Sequence, residues 1–389
     1  DIPWIEGRHY RAVFTTPGSP WAVAVQGLTD PIPVAVLDLG QQRPRWRAFI
    51  REAAGPVAGQ VIGDGYVAVT TAGAGRGRVV SIPLRSDGDP HRWRELVPES
   101  GRVLRTLIAG GDRFFVTEFD DTYSRIRMFR LDGAPLGEVP LPDRGAVGEG
   151  IFPLLNLAQP SAPGALLFAH STLTRSWGLH AYRWDDGRLD TLVPPAAELA
   201  QAEVLDCRAR SGDGTQVPYH VVRLKGAYEG PRPALVFAYG GYNRPLVPEF
   251  PGAMAAVVAA GGLFVHAHLR GGSELGLDWW LQGRGRNKQN CYDDLYAVVE
   301  DLIGRGWTAP DRIALTGNSN GGLMAGVAAT QRPDLWAAVV PKVPNLDLVA
   351  SFTDGYLEAN TEHGDPSDPG DLKRIGLTSP YHAVREGVD

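Results

Sequence analysis

The residues best suited to chemistry in this chain sit in one pentapeptide, Gly317-Asn318-Ser319-Asn320-Gly321. A serine between glycines at this spacing is the pattern of a nucleophile elbow, where a strand turns sharply into a helix and leaves the hydroxyl exposed. In a chain with 48 glycines the pentapeptide alone is a weak signal. Its surroundings strengthen it, because Ile313–Thr316 reads as a buried strand and Leu323–Ala329 as a helical stretch. The glycines let the chain turn and let the helix pack closely, and a helix N-terminus favours developing negative charge. A serine attacking a carbonyl builds charge on the carbonyl oxygen, which calls for hydrogen-bond donors. Asn320 can supply its backbone N–H. The loop Tyr239-Gly240-Gly241-Tyr242-Asn243, directly after the apolar run Ala234–Ala238, is placed to supply another. On residue type alone, its tyrosines are as able to pack as to donate.

The elements that position these residues are of two kinds. From about residue 200 onward, Ala234–Tyr239, Leu263–His268 and Ile313–Thr316 are short apolar runs suited to buried parallel strands. Tyr292–Arg305 reads as a helix with Leu295, Val298, Val299, Leu302 and Ile303 on one face, Asn290 as its N-cap and Gly304 and Gly306 as its stop. Alternating strands and helices predict a doubly wound, mostly parallel sheet over 200–389. Residues 1–199 read instead as all-β, with alternating runs at Trp21–Val25, Val34–Leu37, Tyr66–Thr70, Phe114–Glu118 and Ala165–His170. Within them a turn recurs before a strand: Leu39-Gly40, Asp87-Gly88, Asp132-Gly133 and Asp186-Gly187. The glycines are 48, 45 and 54 residues apart, near the period of a four-stranded propeller blade. About four blades are expected; a sandwich of hairpins is the alternative.

Composition excludes several function classes. A formal net charge of −6 without a basic stripe argues against nucleic-acid binding. No apolar run reaches the length of a membrane span, Met254–Val265 being broken by Gly261 and Gly262. Two cysteines, Cys207 and Cys291, are too few for a disulfide framework and suit a reducing compartment, so a cytoplasmic location is expected. His266-x-His268 places two imidazoles on one strand face, but no third ligand has sensible spacing, so neither metal nor cofactor is expected. Gly73-Ala74-Gly75-Arg76-Gly77 lacks the helix a phosphate loop needs and reads as a blade hairpin. Cys291 reads as a structural thiol, and Trp279-Trp280 as core packing. Both chain ends read as cuts within a longer product.

From Asp213-Gly214-Thr215 onward, the chain resembles the catalytic domain of the prolyl oligopeptidase family. The resemblance rests on Tyr239–Asn243, Leu269-Arg270-Gly271-Gly272, Asn287-Lys288-Gln289-Asn290-Cys291-Tyr292-Asp293-Asp294, Gly317–Gly322 and Gln331-Arg332-Pro333-Asp334-Leu335, in that order. It implies an α/β-hydrolase domain preceded by a β-propeller, both incomplete here, with further blades before Asp1. It implies a serine peptidase without cofactor acting on short peptides, the propeller limiting access to larger ones. Ser319 then resembles the nucleophile, Tyr239 the tyrosine whose hydroxyl binds the oxyanion, and Asn320 the backbone donor. Tyr242 matches an aromatic lining the pocket for the residue before the scissile bond.

The chain departs from that pattern in two places. The triad aspartate and histidine are expected beyond Asp389: Asp347, Asp365, Asp368, His363 and His382 do not stand in the family's context, so this chain alone is expected to be nearly inactive. The tryptophan that stacks on a substrate proline falls, by alignment to Gly364-Asp365-Pro366, on Ala359, and an expected aliphatic residue on Asn345. Glu358 and Glu362 are candidates for binding a basic residue there, solvated loop carboxylates being the plainer reading. An esterase or acylaminoacyl-releasing activity, or a noncatalytic scaffold, are the alternatives.

Overall fold

The computed structural model describes residue 2 and residues 10–149, 163–226, 230–351 and 362–386. The chain divides into two compact units. One comprises residues 1–170, 178–194 and 275–277, and the other residues 171–177, 195–274 and 278–389.

Among the described residues the first part of the chain forms four sheets of four strands, each in simple sequence order. They are β1 (Arg11–Thr15), β2 (Trp21–Gln26), β3 (Ile32–Asp38) and β4 (Arg47–Ala48); β5 (Val57–Ile62), β6 (Gly65–Thr70), β7 (Arg78–Pro83) and β8 (Arg94–Val97); β9 (Val103–Gly110), β10 (Arg113–Asp120), β11 (Tyr123–Arg130) and β12 (Pro135–Glu138); and β13 (Ala146–Val147), β14 (Ala165–Thr172), β15 (Arg175–Arg183) and β16 (Arg188–Val193). Each of the four recurring turns joins the third strand of a sheet to its fourth. These are propeller blades, not a two-sheet sandwich, because each pair of consecutive sheets shares its own apolar layer. Val23, Val36 and Phe49 pack with Ala68, Val80 and Ile82. Val67, Val79 and Leu96 pack with Leu107, Phe114 and Val116. Ile108, Phe115 and Ile126 pack with Leu166, Phe168 and Tyr182. Gly88 and Gly133 explain why the turn keeps its glycine. Each has a positive φ, +73° and +96°, and a Cβ there would stand 2.5 Å from the Phe49 carbonyl oxygen or 2.2 Å from that of Leu96, on the preceding blade. Gly73–Gly77 forms the β6–β7 hairpin connection, as expected.

The second unit is built on a six-stranded sheet of β17 (Ala202–Arg210), β18 (Gln216–Leu224), β19 (Ala234–Phe237), β20 (Leu263–Ala267), β21 (Ile313–Asn318) and β22 (Ala338–Lys342). Its order is β17-β18-β20-β19-β21-β22. β17 and β18 are an antiparallel pair, β18 runs antiparallel to β20, and β20, β19, β21 and β22 are parallel. The chain passes from β19 to one side to make β20 and to the other to make β21, so its strand order reverses at β19. Open α/β sheets bind ligands beyond the carboxyl ends of strands at such a reversal.

The helices relevant to the site are α1 (Ala255–Ala259), α2 (Leu277–Leu281), α3 (Gln289–Gly304) and α4 (Asn320–Gln331). Leu295, Val298, Val299 and Leu302 of α3 are fully buried against Val217, Tyr219, Val236, Val265 and Leu315. Each contributes about 1.5–3 kcal/mol of transfer free energy, an upper figure against a compact unfolded chain. Asn290 is not the N-cap. The chain enters α3 already helical, through a short 3-10 turn at Gly285–Asn287 and Lys288 at φ −58°, ψ −30°. Asn290 instead donates from Nδ2 to the Gln282 carbonyl. Gly304 ends the helix as expected, with Gly306 at φ +69°.

Candidate active site

β21 leads through Asn318 into Ser319, and α4 begins at the next residue. Ser319 has φ 56° and ψ −114°. A non-glycine residue rarely adopts this conformation, which costs about 1–3 kcal/mol and persists only where the surroundings impose it. Three close approaches impose it here. A Cβ on Gly317 would lie 2.6 Å from both the Ala238 carbonyl oxygen and Gly321, one on Gly321 would lie 2.5 Å from the Ala238 oxygen, and one on Gly322 would lie 2.5 Å from the Lys342 oxygen. The elbow is thus wedged between the ends of β19 and β22, with the Ser319 amide bonded to the Lys342 carbonyl at 2.9 Å. The serine side chain is left exposed. The Asn320 N–H lies at the start of α4, where the first amides have no intrahelical partner.

Tyr239 follows β19, the strand beside β21. The register pairs Phe237 with Thr316, which brings Tyr239 and Ser319 to the carboxyl ends of neighbouring strands. The loop coils tightly, with Gly240, Tyr242 and Asn243 at φ 57°, 57° and 53°. Asn320 Nδ2 donates to the Tyr239 carbonyl at 2.6 Å. Tyr239 is buried, and burial holds its phenol protonated above the ordinary range, opposed by Arg244, whose guanidinium lies 4.4 Å over the ring. Its hydroxyl therefore remains a donor at neutral pH.

Of the other expected site residues, Tyr242 is half-buried and its hydroxyl lies 3.3 Å from His363 Nε2, the rings meeting edge to face. Asn345 is exposed in the segment after β22. Glu362 is not a solvated carboxylate. It is 1% exposed, with Oε1 2.6 Å from Lys288 Nζ and Oε2 accepting from Trp280 Nε1 at 3.4 Å. Its charge is matched inside the protein instead of being presented to a ligand. Glu358 and Ala359 lie outside the described residues.

The aspartates near the C-terminus do local structural work. Asp347 accepts from the Ala350 amide and from His382 Nε2, Asp365 from Ser367, and Asp368 caps the helix Pro369–Leu377 through the Asp371 amide. Among the described residues no imidazole is hydrogen-bonded to Ser319. Cys291 is buried, and burial pushes its thiol up to about 12, so it is not a nucleophile at neutral pH. His266 and His268 are buried beside His220, ring centres 4.7–6.2 Å apart, and among the described residues no group of three or more such side chains could hold a metal ion.

Two buried polar networks are absent from the sequence reading, which singled out their segments but gave a role to Glu362 alone, as a candidate for binding a basic residue. Arg270, 2% exposed, grips Asp294 through Nε and Nη2 at 2.9 and 2.6 Å and reaches Asp213 at 2.5 Å. The Gly271 carbonyl that follows accepts the Asn243 amide at 3.1 Å, so this network underpins the Tyr239–Asn243 loop. The second is the Lys288–Glu362 pair.

A serine elbow at the carboxyl edge of this sheet, in a chain that also carries propeller blades, defines an α/β-hydrolase with a propeller domain. Residues 248–388 match the model of the prolyl oligopeptidase family and residues 27–150 that of the prolyl oligopeptidase N-terminal beta-propeller domain. An uncharacterized peptidase of Rickettsia prowazekii is 39% identical over 76% of this chain and 41% of its own length. A prolyl endopeptidase of Elizabethkingia miricola is 28% identical over 84% of this chain and 46% of its own. A solved structure from a study of two prolyl endopeptidases superposes with a TM-score of 0.86 at 28% identity, over 97% of this chain and 55% of that one. The chain belongs to the prolyl oligopeptidase family, and spans less than half the length of these curated relatives.

Proposed function

We propose that this chain carries the nucleophile-bearing part of a serine peptidase that hydrolyses short peptides. The observation that carries the reading is the backbone of Ser319, held in a sparsely populated conformation at the end of β21 with its side chain exposed beside the Tyr239 loop. In this reading Ser319 Oγ attacks the peptide carbonyl carbon while its proton passes to a general base. Charge on the carbonyl oxygen is met by the Asn320 N–H and the Tyr239 hydroxyl. Collapse expels the amine, which takes up the proton, and leaves an ester on Ser319. Water then attacks that ester, releasing the acid and restoring the serine. Tyr242 and Asn345 are proposed to line the pocket before the scissile bond. No proline requirement is part of the reading, because the position that would stack on a proline ring is Ala359. Both cysteines are free, which supports a reducing, cytoplasmic location.

The test is labelling by a fluorophosphonate probe of the full-length gene product and of residues 1–389, each with a Ser319→Ala control. Labelling of the full-length protein that disappears in Ser319→Ala is the expected result. A folded full-length protein that does not label, or that labels equally in Ser319→Ala, overturns the reading and favours a scaffold. A panel of peptide, ester and acylated amino-acid substrates then separates peptidase from esterase.

A further inference from the structure

Lys288 and Glu362 are 74 residues apart in sequence and meet at 2.6 Å with side chains 5% and 1% exposed. Burying two charges costs several kcal/mol per ion, and an apolar pair of similar volume is often as stable. The pair is therefore poorly explained as a source of stability. What an apolar pair could not supply is a donor, and Lys288 Nζ donates a second bond, to the Gly240 carbonyl, at 3.0 Å. Gly240 directly follows Tyr239, whose own carbonyl is held by Asn320 Nδ2. Two successive carbonyls of the loop are thus fixed by side chains from two different helices or their starts. Gly241 shows how tightly the three groups converge. A Cβ there would lie 2.6 Å from Asn320 Nδ2, 2.7 Å from Glu362 Oε1 and 2.9 Å from Lys288 Nζ.

Glu362 makes the lysine a fixed donor. Burial works against the charge of Lys288, yet the adjoining Glu362 carboxylate helps hold its pKa above the ordinary lysine value, so it stays an ammonium. The carboxylate is itself steadied by Trp280 Nε1. We propose that Lys288, held by Glu362, is a positioning residue that fixes the Gly240-Gly241 peptide, directly after Tyr239, so that the Tyr239 hydroxyl meets the oxyanion formed at Ser319. This rests on the reading of Ser319 and Tyr239 given above. A group acting through a loop contributes by geometry, and a displacement on the order of 1 Å costs about 100-fold in rate.

The experiment compares the full-length wild type with Lys288→Met and with the double variant Lys288→Met/Glu362→Gln, by peptide kinetics, fluorophosphonate labelling rate and thermal unfolding. The expected result for Lys288→Met is a kcat lower by about 10–100-fold, with KM within about threefold, since the lost alignment acts on the transition state. The double variant leaves no unmatched buried charge, so its Tm returns toward wild type while kcat stays low. If Lys288→Met does not fold, the double variant alone decides the matter. A double variant with wild-type kcat overturns the positioning role and leaves the pair a structural contact. A wild-type protein that does not label, or labels without Ser319, overturns the reading of the site itself and the positioning role with it.

Discussion

Asn320 Nδ2 bonds the Tyr239 carbonyl at 2.6 Å, so the residue directly after Ser319 ties the elbow to the loop that leaves the neighbouring strand. Asn320 is thus expected to serve twice, its N–H facing the site and its side chain holding the loop. Asn320→Ala keeps the first and removes the second, leaving a buried carbonyl unpaired at a cost of about 1–3 kcal/mol. Urea unfolding should report that loss, and fluorophosphonate labelling of the full-length protein should slow. Unchanged labelling would show that the loop keeps its place without this bond.

The glycines of the elbow should differ sharply from a glycine elsewhere. A Cβ on Gly321 would stand 2.5 Å from the Ala238 carbonyl oxygen, whereas Gly376, within the helix Pro369–Leu377, has nothing within 4 Å. Gly321→Ala should push β19 away from α4 and destabilise by about 1–3 kcal/mol or more, as overpacking does. Gly376→Ala should stabilise by about 0.5–1 kcal/mol through helix propensity. Equal effects of the two in chemical denaturation would contradict the close packing described for the elbow.

Ser319 itself is held against its preference at φ 56°, ψ −114°. Glycine tolerates that conformation without the Cβ penalty, so Ser319→Gly should be more stable than Ser319→Ala by roughly 1 kcal/mol, although both lose labelling. The comparison in thermal unfolding isolates the backbone from the chemistry. An alanine variant as stable as the glycine variant would mean that the elbow stores no strain.

Arg270 illustrates a buried charge that the loop beneath Tyr242 depends on. Removing it in Arg270→Met strands Asp294, which is fully buried, and should cost about 3–5 kcal/mol. Asp213 is held at about 2, first by its hydrogen bond from Arg270 and against the effect of partial burial. A depressed carboxylate contributes stability above its unfolded value of 3.8 and loses it as pH falls toward about 2. In Asp213→Asn the acid-side slope of unfolding free energy between pH 4 and 2 should therefore be shallower. An unaltered slope would rule Asp213 out as a contributor.

How much of this was legible beforehand depended on how local the cause was. The elbow was readable because strand, glycine turn and helix are contiguous. The blades were readable because each Asp-Gly turn sits at one place in its sheet. The Lys288–Glu362 and Arg270–Asp294 pairs were not, since nothing near Glu362 in sequence announces a lysine 74 positions earlier. The same holds for His220, which joins His266 and His268 only because the β18–β20 register sets His220 opposite His266. Asn290 failed as a cap because the preceding residues were already helical, a property of the 3-10 turn and not of asparagine.

Those histidines lead to a pH prediction for the hydrolase unit. His266, His268 and His363 are buried, and burial holds each well below 6.5, with neighbouring His268, His220 and Lys288 respectively adding to the effect. The unfolded chain protonates them near pH 6.5 while the folded chain does not, so the unfolded state binds more protons and stability falls as pH drops below that value. Between pH 7.5 and 5.5 each fully depressed imidazole should cost about 1.4 kcal/mol, hence about 4 kcal/mol for the three. Urea unfolding at the two pH values should show the loss, and His268→Gln or His363→Gln should each reduce it by about one group's share. A stability that is flat across this window would mean that the imidazoles are reached by water and protonate in place.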